Sequence, residues 1–430
     1  MNLRKIMGNR TVKNAGWLIG GRLMNKLLAL LVGILTARYL GPGNYGLIDY
    51  ATAYVTFFAS LCNLGINSVI IKVLADHPQE EGTVIGTTLV LRAVSSFLSA
   101  IMMVGIVIVI DRGEPVTIAV VALSSIGLLF QVFDTLKQWF QSRLQSKYAA
   151  IATTISYVIM SGYKLVLLMT GKSVEWFALA TSVEYLAIAV LLYISYKHQG
   201  GPKFFFSREM AKELLKTSSS FIVSGLMVSI YATTDKLMLK QLMDGASVGY
   251  YGLAVTLSGT WGFLLQAVID SVYPSVIQSH SQSAEAFARR NRQLYALVLY
   301  GAGSISLIVC LLAEPIVGIL YGTAYLPAVA PLRIVVWYTA FSYLGVARNA
   351  WMVCENRQKY LQLLYTSAAV INVVLNLVLI PAWGGTGAAL ASLITQMSTT
   401  VLLPALMKPL RPNAKLMLDA LLLKDVLPKK

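Results

Sequence analysis

The sequence predicts an all-α integral membrane fold: 12 transmembrane helices in two six-helix lobes around a central cavity. Three observations predict it. The chain is 57% hydrophobic and only 13% charged, with a mean hydropathy of +0.67, well outside the soluble average. Its apolar residues are gathered into 12 stretches, each close to the ~20 residues that cross a ~30 Å hydrocarbon core as helix. Segments of the first half also reappear in the second at a nearly fixed spacing.

The predicted spans are 15–38, 46–71, 84–110, 116–136, 149–170, 175–196, 217–242, 248–276, 294–321, 329–353, 360–381 and 386–407. Most separators carry Gly, Pro or charge, as in Gly41-Pro42-Gly43, Asp111-Arg112-Gly113-Glu114-Pro115 and Trp383-Gly384-Gly385, residues that end helices and start turns. The basic stretch Met1 to Lys13 precedes an apolar run too long for a signal-peptide core and without a small-residue cleavage site. It reads as a retained first helix.

The formal charge of +16 would suggest nucleic acid in a soluble protein, but these cations sit mostly between apolar stretches. They read as topology signals and contacts to anionic membrane lipids, with no nucleic-acid partner. Of the 35 Lys and Arg, 24 fall on the side of the two termini and 5 on the other. The positive-inside rule therefore puts both termini in the cytoplasm of a multi-pass inner-membrane protein. Two segments on that side, Phe204 to Lys216 and Leu416 to Leu427, mix apolar and basic residues and read as surface helices in the headgroup region.

The internal repeat is clearest where Trp139 to Tyr148 recurs as Trp351 to Tyr360, with Trp, Lys and Tyr matching at an offset of 212. Leu165-Val166-Leu167 falls on Leu377-Val378-Leu379 at the same offset, and Ala178-Leu179-Ala180-Thr181 parallels Ala389-Leu390-Ala391-Ser392 one residue away. A six-span unit is even, so both copies enter from the same side, a parallel repeat about an axis along the membrane normal. The expected organisation is an N-terminal lobe over 1–200, a linker with an amphipathic helix over 201–216, a C-terminal lobe over 217–408 and a tail over 409–430.

Several motifs then resemble the bacterial polysaccharide (O-antigen type) flippase and exporter family, part of a superfamily with multidrug antiporters and peptidoglycan-precursor flippases. They are Ala37-Arg38-Tyr39-Leu40-Gly41-Pro42 with Tyr45-Gly46; Thr234-Asp235-Lys236 with Val248-Gly249-Tyr250-Tyr251; Tyr321-Gly322 with Tyr325 and Leu332-Arg333-Ile334; and Glu355 to Tyr360 followed by Asn372, Leu375-Asn376, Ile380-Pro381 and Gly384 to Ala388. The resemblance runs from about residue 12 to 408. It implies export of an undecaprenyl-pyrophosphate-linked oligosaccharide from inner to outer leaflet, with polysaccharide polymerase machinery as a further partner. It does not name the sugar.

Charges inside the spans are the candidate site, because a cation at mid-membrane costs at least ~2.5–3.5 kcal/mol and needs a partner or a wet cavity. Arg22 and Lys26 lie four apart on one face of the first helix, poised either to meet an anion or to snorkel to the interface. Arg92 and Arg348 have the same two readings. Lys164 and Glu184, in the fifth and sixth spans, read as an ion pair or as a substrate cation beside a gating or coupling carboxylate. For Asp235 and Lys236 the family-like motif favours a local structural or gating role over a binding one, and Asp270 reads as a further carboxylate for proton or sodium coupling. Asn372 and Asn376 share a face of the eleventh span, where helix-to-helix hydrogen bonds are the usual use of such residues and sugar contact the alternative.

Other chemistries lack their residues. Cys62, Cys310 and Cys354 form no CxxC pair, and His77, His198 and His280 lie in separate loops, so no disulfide framework or metal site is expected. Gly171-Lys172-Ser173 has Val166 where a phosphate-binding loop needs glycine. No cofactor and no catalytic set are therefore expected. A multidrug antiporter would fill its cavity with carboxylates, and a glycan polymerase would need a large outer loop. This chain has intramembrane Arg22, Lys26, Arg92 and Lys164 and only short outer loops.

Overall fold

A computed structural model describes the backbone of residues 10–424 and the side chains of residues 25–424, residue 27 excepted. Every regular element among the described residues is helical. In chain order they are α1 (Arg10–Asn63), α2 (Ile70–Asp76), α3 (Glu81–Ile110), α4 (Pro115–Phe130), α5 (Thr135–Ser142), α6 (Ser146–Met169), α7 (Val174–His198), α8 (Arg208–Leu242), α9 (Gly245–Thr260), α10 (Gly262–His280), α11 (Ala284–Leu311), α12 (Ala313–Tyr321), α13 (Val329–Cys354), α14 (Lys359–Met397), α15 (Leu403–Leu406) and α16 (Arg411–Leu421).

The chain is an all-α membrane protein. Nine of its helical stretches are long and apolar enough to cross a membrane among the described residues. In Glu81–Ile110 only 22% of the apolar window is buried, and Val94, Phe97, Leu98 and Ile101 are exposed. In water such a face would aggregate; against lipid it is the expected outer surface. The stretch Lys359–Leu406 covers the expected spans 360–381 and 386–407 and breaks at Gly384, where φ is 52°. Likewise α1 breaks at Gly41, with φ 70° and ψ 170°. Glycine adopts this left-handed backbone without a Cβ clash, which is why these two separators turn the chain without a loop.

Helix ends follow local chemistry. Asp244 accepts the Ser247 N–H at 2.7 Å ahead of α9, and Ser283 accepts the Ala286 N–H at 3.1 Å ahead of α11, each satisfying an orphan donor of a first turn. Pro115 opens α4, where its missing N–H costs nothing.

Three expectations shift. The expected span 46–71 is helical only to Asn63, because Leu64 and Gly65 both take positive φ and a 3-10 turn over Ile66–Ser68 follows. The expected surface helix Phe204 to Lys216 is instead an extended stretch plus the first turns of the 35-residue α8. The Phe205 N–H donates to the Gly82 carbonyl at 3.2 Å, the Ser207 N–H to Thr87 Oγ1 at 3.0 Å, and Met210 and Leu214 join a buried core with Trp139 and Tyr196. Burial on α3 and α8's continuity thus override the amphipathic pattern. The second surface helix begins earlier than expected, as α16 with Pro412 in its first turn. It buries Asn413, Ala414, Met417 and Ala420 and donates from Asn413 Nδ2 to Tyr295 Oη at 2.6 Å. Residues 425–427 of that expected helix lie outside the described residues.

The chain divides into two compact units. The first holds residues up to Leu40 with Leu47–Ser229, and the second holds Gly41–Gly46 with Ile230 onward. The repeat is visible in the backbone of each. Leu144 in the first and Asn356 in the second, 212 residues apart, both have φ 53°. In each case the next N–H reaches back five residues, Gln145 to the Phe140 carbonyl and Arg357 to the Met352 carbonyl, both at 2.8 Å. This is the same left-handed helix stop written twice. Trp139 and Trp351, five residues before these stops, are both buried.

Within the second unit three of the family-like motifs meet. A Cβ on Gly46 would collide with the Gly245 carbonyl, and one on Gly249 with the Pro42 carbonyl. Tyr45 and Tyr250 both set an edge against Tyr325, with centroids 6.3 Å apart in each pair. The glycines are therefore required by backbone-on-backbone crossing. Gly249→Ala is expected to lower stability by about 1–3 kcal/mol through overpacking, read as an earlier thermal unfolding of the purified protein; an unchanged transition would refute the crossing.

Candidate transport site

Each unit holds a polar group inside its spans that includes candidate transport residues. In the second unit it centres on Asp235 in α8, which is 5% exposed. Its Oδ2 accepts hydrogen bonds from the Tyr251 hydroxyl of α9 and the Ser392 hydroxyl of α14. Its Oδ1 accepts from Asn372 Nδ2 at 3.0 Å and Asn376 Nδ2 at 2.6 Å. Asn376 Nδ2 also donates to Asn372 Oδ1 at 3.1 Å. Spacing explains the convergence: Asn372 and Asn376 are one turn apart, and the break at Gly384 returns the chain so that Ser392 faces the same carboxylate. The oxygens Asn376 Oδ1 and Thr395 Oγ1 are buried with no hydrogen-bond partner among the described residues. One turn before Asp235, Tyr231 donates to Gln396 Oε1 at 2.6 Å.

In the first unit the group centres on Lys164 of α6 and Glu184 of α7, both half-buried. They and Asp49 act on one another electrostatically, yet no ion pair within 4.0 Å joins Lys164 to either carboxylate. Glu184 also feels Lys137 and Asp134, which pair with each other at 2.7 Å. Lys164 thus has carboxylates nearby but none in contact.

The two buried arginines are placed differently. Arg92 is 3% exposed and donates from Nη1 to Thr135 Oγ1 at 3.0 Å and from Nη2 to the Gln131 carbonyl at 3.3 Å. Those acceptors flank the 3-10 turn Gln131–Asp134 between α4 and α5, where the α-helical ladder is interrupted. Arg348 is 5% exposed and donates from Nη1 to the Thr399 carbonyl at 3.0 Å, inside the π-helical turn Ser398–Leu402. Each guanidinium thus holds a helix irregularity, a use of buried cations that neither cavity lining nor snorkelling anticipates. Arg92→Lys keeps the charge but loses the fork, and is expected to destabilise by about 1–3 kcal/mol for the unsatisfied acceptor. A thermal unfolding series with Arg92→Lys beside Lys164→Gln checks this, with only the former expected to shift.

The remaining sites are scattered. Lys26 is exposed on α1, and the side chain of Arg22 lies outside the described residues. Asp270 is exposed and accepts from Gln266 Nε2 at 2.8 Å. Lys236 is half-buried next to Asp235. The roles of Tyr251 and Ser392 as partners of Asp235 had no sequence signal beyond their motif and repeat positions, since a hydroxyl in an apolar helix usually bonds its own backbone. The pairing of Asn372 and Asn376 was legible from their spacing.

Apolar helices with outward faces, broken at glycines and holding buried charges, define a polytopic membrane protein. The chain belongs to the family described as polysaccharide biosynthesis protein, whose model matches residues 11–280. It is 22% identical over 412 residues to the "Putative O-antigen transporter" of Escherichia coli (strain K12), covering 94% of this chain and 97% of that protein. Its fold is similar to that of the lipid II flippase MurJ in an inward closed conformation, with a TM-score of 0.72 at 15% identity over 94% of this chain and 90% of the other. An inward-facing multidrug resistance MATE transporter of the MOP superfamily is also similar, with a TM-score of 0.63 at 14% identity over 91% and 94%.

Proposed function

We propose that the protein is a flippase that carries an undecaprenyl-pyrophosphate-linked oligosaccharide from the inner to the outer leaflet of the inner membrane, with both termini cytoplasmic. The observation that supports this reading is Lys164, a half-buried cation in a membrane-spanning helix that makes no ion pair within 4.0 Å among the described residues, with Glu184 and Asp49 nearby. Its desolvation is offset when an anion arrives, so the pyrophosphate or an acidic sugar is the natural occupant. Lys26, exposed on the first helix, is the entry cation, and Arg22 continues its face. Arg92 and Arg348 support the helices that frame the path. The two units, read as six-span lobes, alternate between inward and outward states while the polyprenyl tail stays in lipid.

Asp235 is the coupling group. Its bonds tie α8, α9 and α14 together inside the second unit. A proton or sodium ion taking the carboxylate would displace those donors and change how the three helices pack. Asn376 Oδ1 and Thr395 Oγ1, buried without donors, are oxygens available to such a cation. Coupling then requires that the cation favour one of the two states. Glu184 beside Lys164 releases the substrate by competing for the same cation. Lys236 and Asp270, the latter exposed, serve gating at most. Polymerase machinery is the expected consumer of the flipped product.

A second reading, an ion-coupled multidrug antiporter, draws support from Asp235 and from the MATE likeness. A direct competition tests the two: binding of an undecaprenyl-pyrophosphate oligosaccharide and of a lipophilic organic cation to the purified protein. The flippase reading expects binding of the first that weakens in Lys164→Gln. Binding of the cation alone would favour the antiporter.

A further inference from the structure

The second unit has a cavity far in sequence from Asp235, at the end that carries the C-terminal helix. It has a volume of about 470 Å³ and is walled by Phe287, Trp351 and Pro412, with Ala284 at the start of α11 opening onto it. Its charged lining is His280, Arg292, Arg357 and Lys415 against Glu355 and Asp419. Glu355 lies 3.7 Å from His280 and Asp419 lies 3.8 Å from Arg292. With His280 neutral, Arg292, Arg357 and Lys415 face two carboxylates, so the lining carries an excess of one positive charge. The Arg357 guanidinium makes no hydrogen bond or ion pair among the described residues, and its Nε is sealed from solvent without an acceptor. Such a donor needs an acceptor from elsewhere.

We propose that this cavity binds a phosphoryl anion, with Arg357 and Lys415 as its ligands and the start of α11 adding its positive dipole end. A forked guanidinium suits two phosphate oxygens, and lysine adds a point charge. Aromatic and proline walls suit the glycerol backbone of an acidic phospholipid drawn up from the adjoining leaflet, where anionic headgroups are concentrated by basic segments. A soluble phosphate ester offers the same chemistry. Bound there, the anion would bridge α16 to the end of α13 and to α11, fixing the C-terminal helix. This site is independent of the flippase reading, since binding is measured without transport.

The test is native mass spectrometry of the full-length protein with phosphatidylglycerol, phosphatidylcholine and glycerol 3-phosphate as probes. The wild type is expected to hold one phosphatidylglycerol about tenfold more tightly than phosphatidylcholine, the effect of one charge-assisted hydrogen bond. The double variant Arg357→Gln with Lys415→Gln is expected to lose that preference, Glu355→Gln to strengthen it, and Arg290→Gln, outside the cavity, to keep it. Lys415 is exposed, so Lys415→Gln alone serves if the double variant fails to fold, with a partial loss expected. Displacement of the lipid by glycerol 3-phosphate at equal concentration would assign the site to a soluble ester. The proposal is overturned if neither anion depends on Arg357 and Lys415.

Discussion

Asp235→Asn is expected to leave a folded protein in the membrane and to reduce transport by tenfold or more. Asparagine fills the same space and retains one acceptor oxygen for Asn372 and Asn376. The Tyr251 and Ser392 hydroxyls can rotate to accept from its amide, since a hydroxyl both donates and accepts. What it cannot do is exchange a charge with a coupling cation. Asp235→Ala separates the two roles, because it removes the acceptor of four buried hydrogen bonds and leaves their donors only the weaker contacts among themselves. At about 1–3 kcal/mol per unsatisfied group, with relaxation sharing the loss, it is expected to destabilise by roughly 3–5 kcal/mol. Retention of full transport by Asp235→Asn, with lost stability in Asp235→Ala, would reduce Asp235 to a structural staple.

The second large effect is expected from Lys164. Lys164→Gln keeps a polar side chain one bond shorter and removes the charge beside Glu184 and Asp49. Because no carboxylate touches it, the substitution breaks no ion pair and is expected to leave unfolding within about 0.5 kcal/mol of wild type. Transport of the lipid-linked anion is expected to fall at least tenfold, as removal of a single desolvated charge contact does. Lys26→Gln, at an exposed position, is expected to fall less. Lys164→Arg is expected to restore much of the activity, and an uncharged but fully active Lys164→Gln would remove the cationic path as argued.

The membrane class and the matched helix stops of the repeat were legible because each rests on something local: apolar length and an offset of 212. The repeat even predicts a backbone detail, the matched stops at Leu144 and Asn356. The helix ends at Asn63 and Arg208 were not legible. There, contacts in the folded unit decide, Gly65 against α8 in one case and Phe205 on Gly82 in the other. The site was legible as residue types but not as partners. Lys164 and Glu184 were rightly taken as neighbours in α6 and α7, whereas contact between them did not follow from proximity in a hairpin. The roles of Arg92 and Arg348 depend on a 3-10 and a π-helical turn that no hydrophobic pattern reports. Asp235 drew attention through its motif, but its environment comes from α14 returning at Gly384, a long-range event.

The most direct measurement is leaflet exchange of a purified undecaprenyl-pyrophosphate oligosaccharide in proteoliposomes, with and without proton or sodium gradients, beside protein-free vesicles. The account predicts protein-dependent exchange that a gradient of one of these ions biases, lost in Lys164→Gln and no longer gradient-biased in Asp235→Asn. Folded wild-type protein that exchanges none of several such glycans under any gradient would contradict it.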